Sequence, residues 1–175
     1  MNKYNLKDFL SRELEPHRTT LKGASYDDEN QEHLCSDSTT SNVYSFDEYI
    51  EKNFDRTKLP ASPDAIFIGD KKLYFVEFKN SLPRDINSAN MKAKFEEGTK
   101  VLRNLLKDFL PRDVEFVFCV VHKNQTAKYF NSSHIQSSQA RFGLADKNQE
   151  LGRFYSEVLV EDLNFYKSRF SQLQC

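Results

Sequence analysis

The segment from Ser62 to Asn80 restricts the possible folds of this chain more than any other. Ala65-Ile66-Phe67-Ile68 and Leu73-Tyr74-Phe75-Val76 are rich in β-branched and aromatic residues, and they flank Gly69-Asp70-Lys71-Lys72. Two such runs around a short polar turn are the pattern of an antiparallel hairpin. With the turn centred on Asp70 and Lys71, Asp64 lies directly across from Glu77. Side chains alternate along a strand, so Lys79 emerges on the face of Glu77 and Phe78 on the other. Two carboxylates about 4.5–5.5 Å apart at Cβ destabilise a sheet unless a positive charge stands between them. Ile66, Phe67, Val76 and Phe78 imply burial on both faces, where unpaired acids are costly.

The neighbouring segments set this hairpin in a larger sheet. Residues 88–110 place Phe95, Gly98, Leu102, Leu105, Leu106 and Phe109 on one helical stripe, with Lys100, Arg103 and Lys107 on a separate basic stripe. Pro111 ends that helix. Residues 114–121 form a nearly continuous apolar run, as in a strand buried on both faces. A strand, a crossover helix and a second strand of this kind should lie parallel. Upstream, Leu6, Phe9, Leu10 and Leu14 predict a helix stopped near Pro16. Ser45 caps a helix carrying Phe46, Tyr49, Ile50 and Phe54 on one face, and Glu48 stands where a capping box needs it. The centre thus reads α-β-β-α-β. Residues 23–42 and 124–149 read as polar and irregular, and the extension 150–175 as a strand over 153–160 followed by a closing helix over 161–173.

A length of 175 residues suits one domain, 1–175, with its core at 45–121. The 15 Phe and 8 Tyr supply apolar area in a chain without Trp. No run is long and apolar enough for a membrane span, and the N-terminus lacks the apolar stretch of a secretory signal. The expectation is a cytoplasmic protein with no membrane partner. Cys35, Cys119 and Cys175 fall in no ligand pair and read as reduced thiols. The formal net charge of -1 excludes a uniformly basic coat. Its distribution is uneven: eight Lys and Arg against twelve Asp and Glu through Pro60, then seventeen against fourteen. An acidic metal site beside a more basic surface fits that asymmetry.

Two acids and an ammonium on one patch suit a hard divalent cation, which prefers oxygen ligands and keeps several waters. Asp64, Glu77 and the backbone carbonyl of Phe78 could supply ligands. Lys79 could orient a water or stabilise charge on a phosphodiester. Pro63-Asp64 followed by Glu77-Phe78-Lys79 resembles the PD-(D/E)XK nuclease superfamily. The resemblance spans roughly residues 45–121. It implies a restriction-endonuclease-like αβββαβ core of the α/β (α+β) class, with a mixed central sheet flanked by helices. It further implies catalysis by Asp64, Glu77 and Lys79 with Mg²⁺ or Mn²⁺.

Other candidates follow from the resemblance. Such nucleases often add an acid from the preceding helix, for which Glu48 and Glu51 are the candidates and Glu32 a third. Lys92 or Lys94 on the crossover helix could support the site, and Lys92, Lys94, Lys100 and Arg103 are candidate nucleic-acid contacts. His33 and His122 are weighed as upstream and edge ligands. The expected function is an endonuclease, with DNA favoured over RNA and a homodimer possible. The alternatives are a noncatalytic nucleic-acid-binding or protein-interaction module, an RNA endonuclease of the viral cap-snatching type, a nuclease toxin, or an ordinary structural hairpin. No GxxxxGK[ST], HExxH, GxSxG or GxGxxG motif supports another enzyme class.

Overall fold

The structure is a computed structural model that describes residues 5–109, 114–124 and 142–175. Helix α1 (Leu6–Leu14) starts at Asn5, whose side chain accepts the Asp8 amide, and it ends in a 3-10 turn (Glu15–His17) that contains Pro16. Strand β1 (Arg18–Thr19), helix α2 (Leu21–Ala24), strands β2 (Tyr26–Asp27) and β3 (Glu32–His33), and strand β4 (Val43–Ser45) follow. Helix α3 (Phe46–Asn53) is capped by Ser45, which accepts the Glu48 amide. Strands β5 (Ala65–Ile68) and β6 (Lys72–Lys79) form the central hairpin, and helix α4 (Ser88–Leu105) leads to β7 (Glu115–His122). Helix α5 (Leu144–Glu150), strand β8 (Glu157–Asp162) and helix α6 (Leu163–Ser168) complete the described chain.

Among the described residues, six strands form one mixed sheet in the order β1-β4-β5-β6-β7-β8, and β2 and β3 pair separately. The hairpin register pairs Ala65 with Val76 and Ile68 with Leu73, closed by Gly69 N–H donating to the Lys72 carbonyl at 3.0 Å. Strand β7 lies parallel to β6, from Lys72 beside Glu115 to Lys79 beside His122. This parallel pair needs a crossover, which α4 supplies. The chain is therefore α+β, with a mixed six-stranded sheet flanked by helices.

Both faces of the sheet are covered, so β6 and β7 read as continuous apolar runs instead of alternating ones. On one face, Leu73, Phe75, Phe118 and Val120 pack with Leu10, Phe46, Met91 and Phe95 from the helices. On the other, Tyr74, Val76, Phe78 and Cys119 meet Leu21, Tyr166 and Leu173. Each fully buried aromatic ring contributes roughly 1.5–3 kcal/mol. Glycine 98 lets α4 sit close to the hairpin: a Cβ there would lie 2.5 Å from Pro63 Cδ.

Several expectations change. Residues 23–42 carry the β2–β3 pair, pinned by the Ser25 hydroxyl accepting the Cys35 amide at 2.9 Å. Of residues 124–149, those numbered 125–141 lie outside the described residues, but Leu144–Glu150 is helical. Its Gly143 takes a left-handed φ of 59°, which a local sequence pattern does not reveal. The last strand begins at Glu157 and the last helix ends at Ser168, so both are displaced or shorter than expected.

Cys35 and Cys175 are joined in a disulfide, with Cα atoms 4.9 Å apart, which corrects the reading of reduced thiols. The two are 140 residues apart in sequence, and only the tertiary fold brings them together. Cys119 is free and buried. Thiol titration of the unreduced, denatured protein is expected to find one reactive cysteine out of three. No helix among the described residues is long and apolar enough to cross a membrane.

Candidate functional site

Asp64 and Glu77 meet at one end of the sheet. Pro63 has no N–H, and the strand ladder stops at Ala65. The Asp64 carboxylate then takes over, with Oδ2 accepting the Phe78 amide at 2.6 Å. Its own carbonyl accepts the Phe46 amide at 2.9 Å, which ties the start of α3 to the start of β5. Glu77 is fully buried on the same face, whereas Phe78 points into the opposite core.

Two ammonium groups stand against these acids. Lys79 Nζ lies 2.8 Å from Glu77 Oε1. Lys94, from α4, lies 2.9 Å from Glu77 Oε1, 3.0 Å from Oε2 and 3.4 Å from Asp64 Oδ1. Neither lysine gives Glu77 Oε1 an aligned hydrogen bond, so this buried oxygen is held by charge alone. An acceptor of that kind fits a divalent cation.

A third acid completes the cluster. Asp47, on the first turn of α3, accepts a short hydrogen bond from the Ser62 hydroxyl and interacts with Asp64, Glu77 and Lys94. Glu97, on α4, accepts the Ala61 amide at 2.6 Å, so the segment before Asp64 is held between α3 and α4. Sequence reasoning weighed Glu48 and Glu51 for this role and missed Asp47. Glu48 instead points to His17, 3.7 Å away, and Glu51 is exposed. The helical wheel held a signal. Asp47 lies about 100° from Phe46 on the side of Ile50, whereas Glu48 lies about 200° away.

Three carboxyl groups thus face two ammonium groups in a mostly buried place, so full ionisation would leave one negative charge in excess. Burial, followed by repulsion from Glu77, holds the Asp64 carboxyl well above the usual carboxylate range despite Lys94. Burial also raises Asp47, against its Ser62 hydrogen bond. Burial alone would lower Lys94, but Asp64, Glu77 and Asp47 together raise it above its ordinary value.

These shifts have a consequence for stability. A carboxyl that binds its proton more tightly when folded adds stability at low pH and loses it as pH rises from the unfolded value near 3.8 through the raised folded one. Asp64→Asn keeps an acceptor for Phe78 and removes that penalty. Without divalent cation, urea unfolding from about pH 4 to 8 should show a flatter profile for this variant, and higher stability than wild type at the alkaline end.

The remaining candidates are dispersed. Lys92 is half-buried and packs near Gly143. Lys100 is exposed and paired with Glu96 at 2.8 Å. Arg103 donates to the Leu151 carbonyl and lies over the Phe154 ring at 5.1 Å. Glu32 accepts from Asn80 at 2.6 Å and so lies beside the end of β6 without joining the acids. His33 is exposed, with Nδ1 2.7 Å from the Lys22 carbonyl. His122 is buried next to Lys79 in the parallel register, and burial lowers its imidazolium.

No group of three His, Cys, Asp or Glu among the described residues has ligand spacing as it stands. Lys94 lies between Asp64 and Glu77. Compared with protein-family models, curated proteins and solved structures, the chain shows no significant match.

Proposed function

We propose that this chain is a Mg²⁺- or Mn²⁺-dependent endonuclease of the PD-(D/E)XK type, with DNA favoured over RNA. One observation carries the reading. Asp47 from α3, Asp64 from the segment before β5 and Glu77 from β6 converge with Lys79 and Lys94 at one sheet end, three carboxyl groups against two ammonium groups. The order α1, β4, β5, β6, α4, β7 also supports it, because it follows the αβββαβ pattern once β1, α2, β2 and β3 before β4 and α3 between β4 and β5 are set aside as insertions.

Asp47, Asp64 and Glu77 would hold the cation, with the Phe78 carbonyl as a further ligand. When bound, it would polarise a phosphodiester and acidify a water. The chain's own groups do the rest. Lys79 is 26% exposed at its side chain, which leaves its ammonium able to orient a water or meet charge developing on a phosphoryl oxygen. Glu77 holds that ammonium in place at 2.8 Å. Asp64, through the Phe78 amide, fixes the backbone between Glu77 and Lys79.

A buried structural ion network is the second reading, because Lys94 already neutralises the acid pair. A cleavage assay separates the two. Single-stranded DNA, duplex DNA and RNA are incubated with Mg²⁺, Mn²⁺ or chelator. Metal-dependent cutting that chelator abolishes is the expected outcome. Binding without cutting under every condition would favour the noncatalytic module. Cleavage of both duplex strands would further call for a two-fold dimer.

A further inference from the structure

We infer that Lys94 is a resident counter-ion that competes with the divalent cation for Asp64 and Glu77. The inference rests on the metal-site reading above and adds how that site is kept folded and how tightly it binds. The Lys94 ammonium contacts both Glu77 oxygens at 2.9 and 3.0 Å and Asp64 Oδ1 at 3.4 Å. Those are oxygens with which Asp64 and Glu77 would hold a cation. An ammonium and a divalent cation repel each other and cannot share them at hydrogen-bond distance.

The position of Lys94 is built in. It lies seven residues after the helix cap Asn87, one residue before the fully buried Phe95, and one turn before Gly98, which packs against Pro63. Helix α4 therefore delivers this ammonium to the acids without the help of a metal. Lysine suits exchange better than arginine: its charge sits on a flexible four-carbon stem and is readily rehydrated. The fully buried Glu77 would otherwise depend on Lys79 alone in the metal-free protein. Lys94 stabilises the empty state and by the same contacts weakens metal binding. Entry of the cation releases an ammonium beside Lys79, where it can meet a phosphate.

Mn²⁺ affinity is measured by calorimetry for wild type, Lys94→Met, Lys94→Gln and, as a control off the acid pair, Lys92→Met. Thermal melts in chelator and in Mn²⁺ accompany it. Lys94→Met and Lys94→Gln should bind Mn²⁺ at least about tenfold more tightly, melt lower than wild type in chelator, and gain more from Mn²⁺. Lys92→Met should match wild type. A second readout needs no variant: in the wild-type chain, Mn²⁺ should raise acylation of the Lys94 amine by an amine-reactive reagent. A Lys94 variant folded only with Mn²⁺ supports the inference. Equal or weaker affinity in both folded variants, or unchanged Lys94 acylation at saturating Mn²⁺, overturns it and leaves the metal site standing. No Mn²⁺ binding by any of the proteins overturns the metal-site reading and the inference with it.

Discussion

Asp64→Asn is expected to reduce metal-dependent cleavage by on the order of a thousandfold while the protein stays folded. The substitution keeps the size of the side chain and the acceptor for the Phe78 amide, which is 2.6 Å from Asp64 Oδ2. It removes one of three clustered carboxyl groups, so the proposed metal site loses a ligand and the metal-free protein loses a repulsive interaction with Glu77 and Asp47. Activity and stability should therefore move in opposite directions, a trade expected where a strained acid cluster is kept for function. Single-turnover cleavage and urea unfolding on the same samples measure both. Full activity in Asp64→Asn would remove the site. Glu77→Gln should lose as much activity, but it also deprives Lys79 and Lys94 of their buried partner and should cost stability.

Gly98→Ala is the second substitution with a large expected effect, and it lies outside the acid cluster. In an ordinary helix the change would stabilise by about 1 kcal/mol. Here the added Cβ would lie 2.5 Å from Pro63 Cδ and 3.5 Å from the Phe75 ring, so the helix and the hairpin must separate. Overpacking of this kind costs about 1–3 kcal/mol, and a net loss is expected. The function should suffer more than the stability. Pro63 precedes Asp64, and Lys94 is one turn before Gly98, so the two sides of the Lys94 contact move apart. A loss of activity of about tenfold or more is expected, since misplacement of about 1 Å is costly in a catalytic site. Wild-type stability in Gly98→Ala would show that α4 and the Pro63 segment are not tightly packed.

The two substitutions mark what local pattern can and cannot show. Asp64 could be read because its partner Glu77 lies within the same hairpin, and a two-residue turn fixes the register. The structure pairs Ala65 with Val76, the same register. Gly98 was visible as a member of an apolar stripe, but the reason for its small size lies on another element, at Pro63. Asp47 was missed for a related cause. Its neighbour Glu48 matched a capping pattern, and the contact that identifies Asp47 comes from Ser62, across a loop. Arg103 is a further case: its place on a basic stripe marks it as a candidate nucleic-acid contact, and its partners in the fold, Leu151 and Phe154, come from a distant segment.

Sequence alone determined what depends on short-range periodicity: the capped helices, the central hairpin and its register, the parallel crossover, and Asp64, Glu77 and Lys79 on a single face. These follow from backbone geometry that repeats every two or 3.6 residues. Tertiary structure alone decided what depends on contacts between distant segments. It joined Cys35 to Cys175, brought Asp47 to the acids, and set Lys94 between Asp64 and Glu77. The physical reason is that burial and charge at this site are properties of the packed layers. Helix α4 crosses the sheet at a distance set by Gly98 against Pro63, and only that crossing places an ammonium where two carboxylates would otherwise repel.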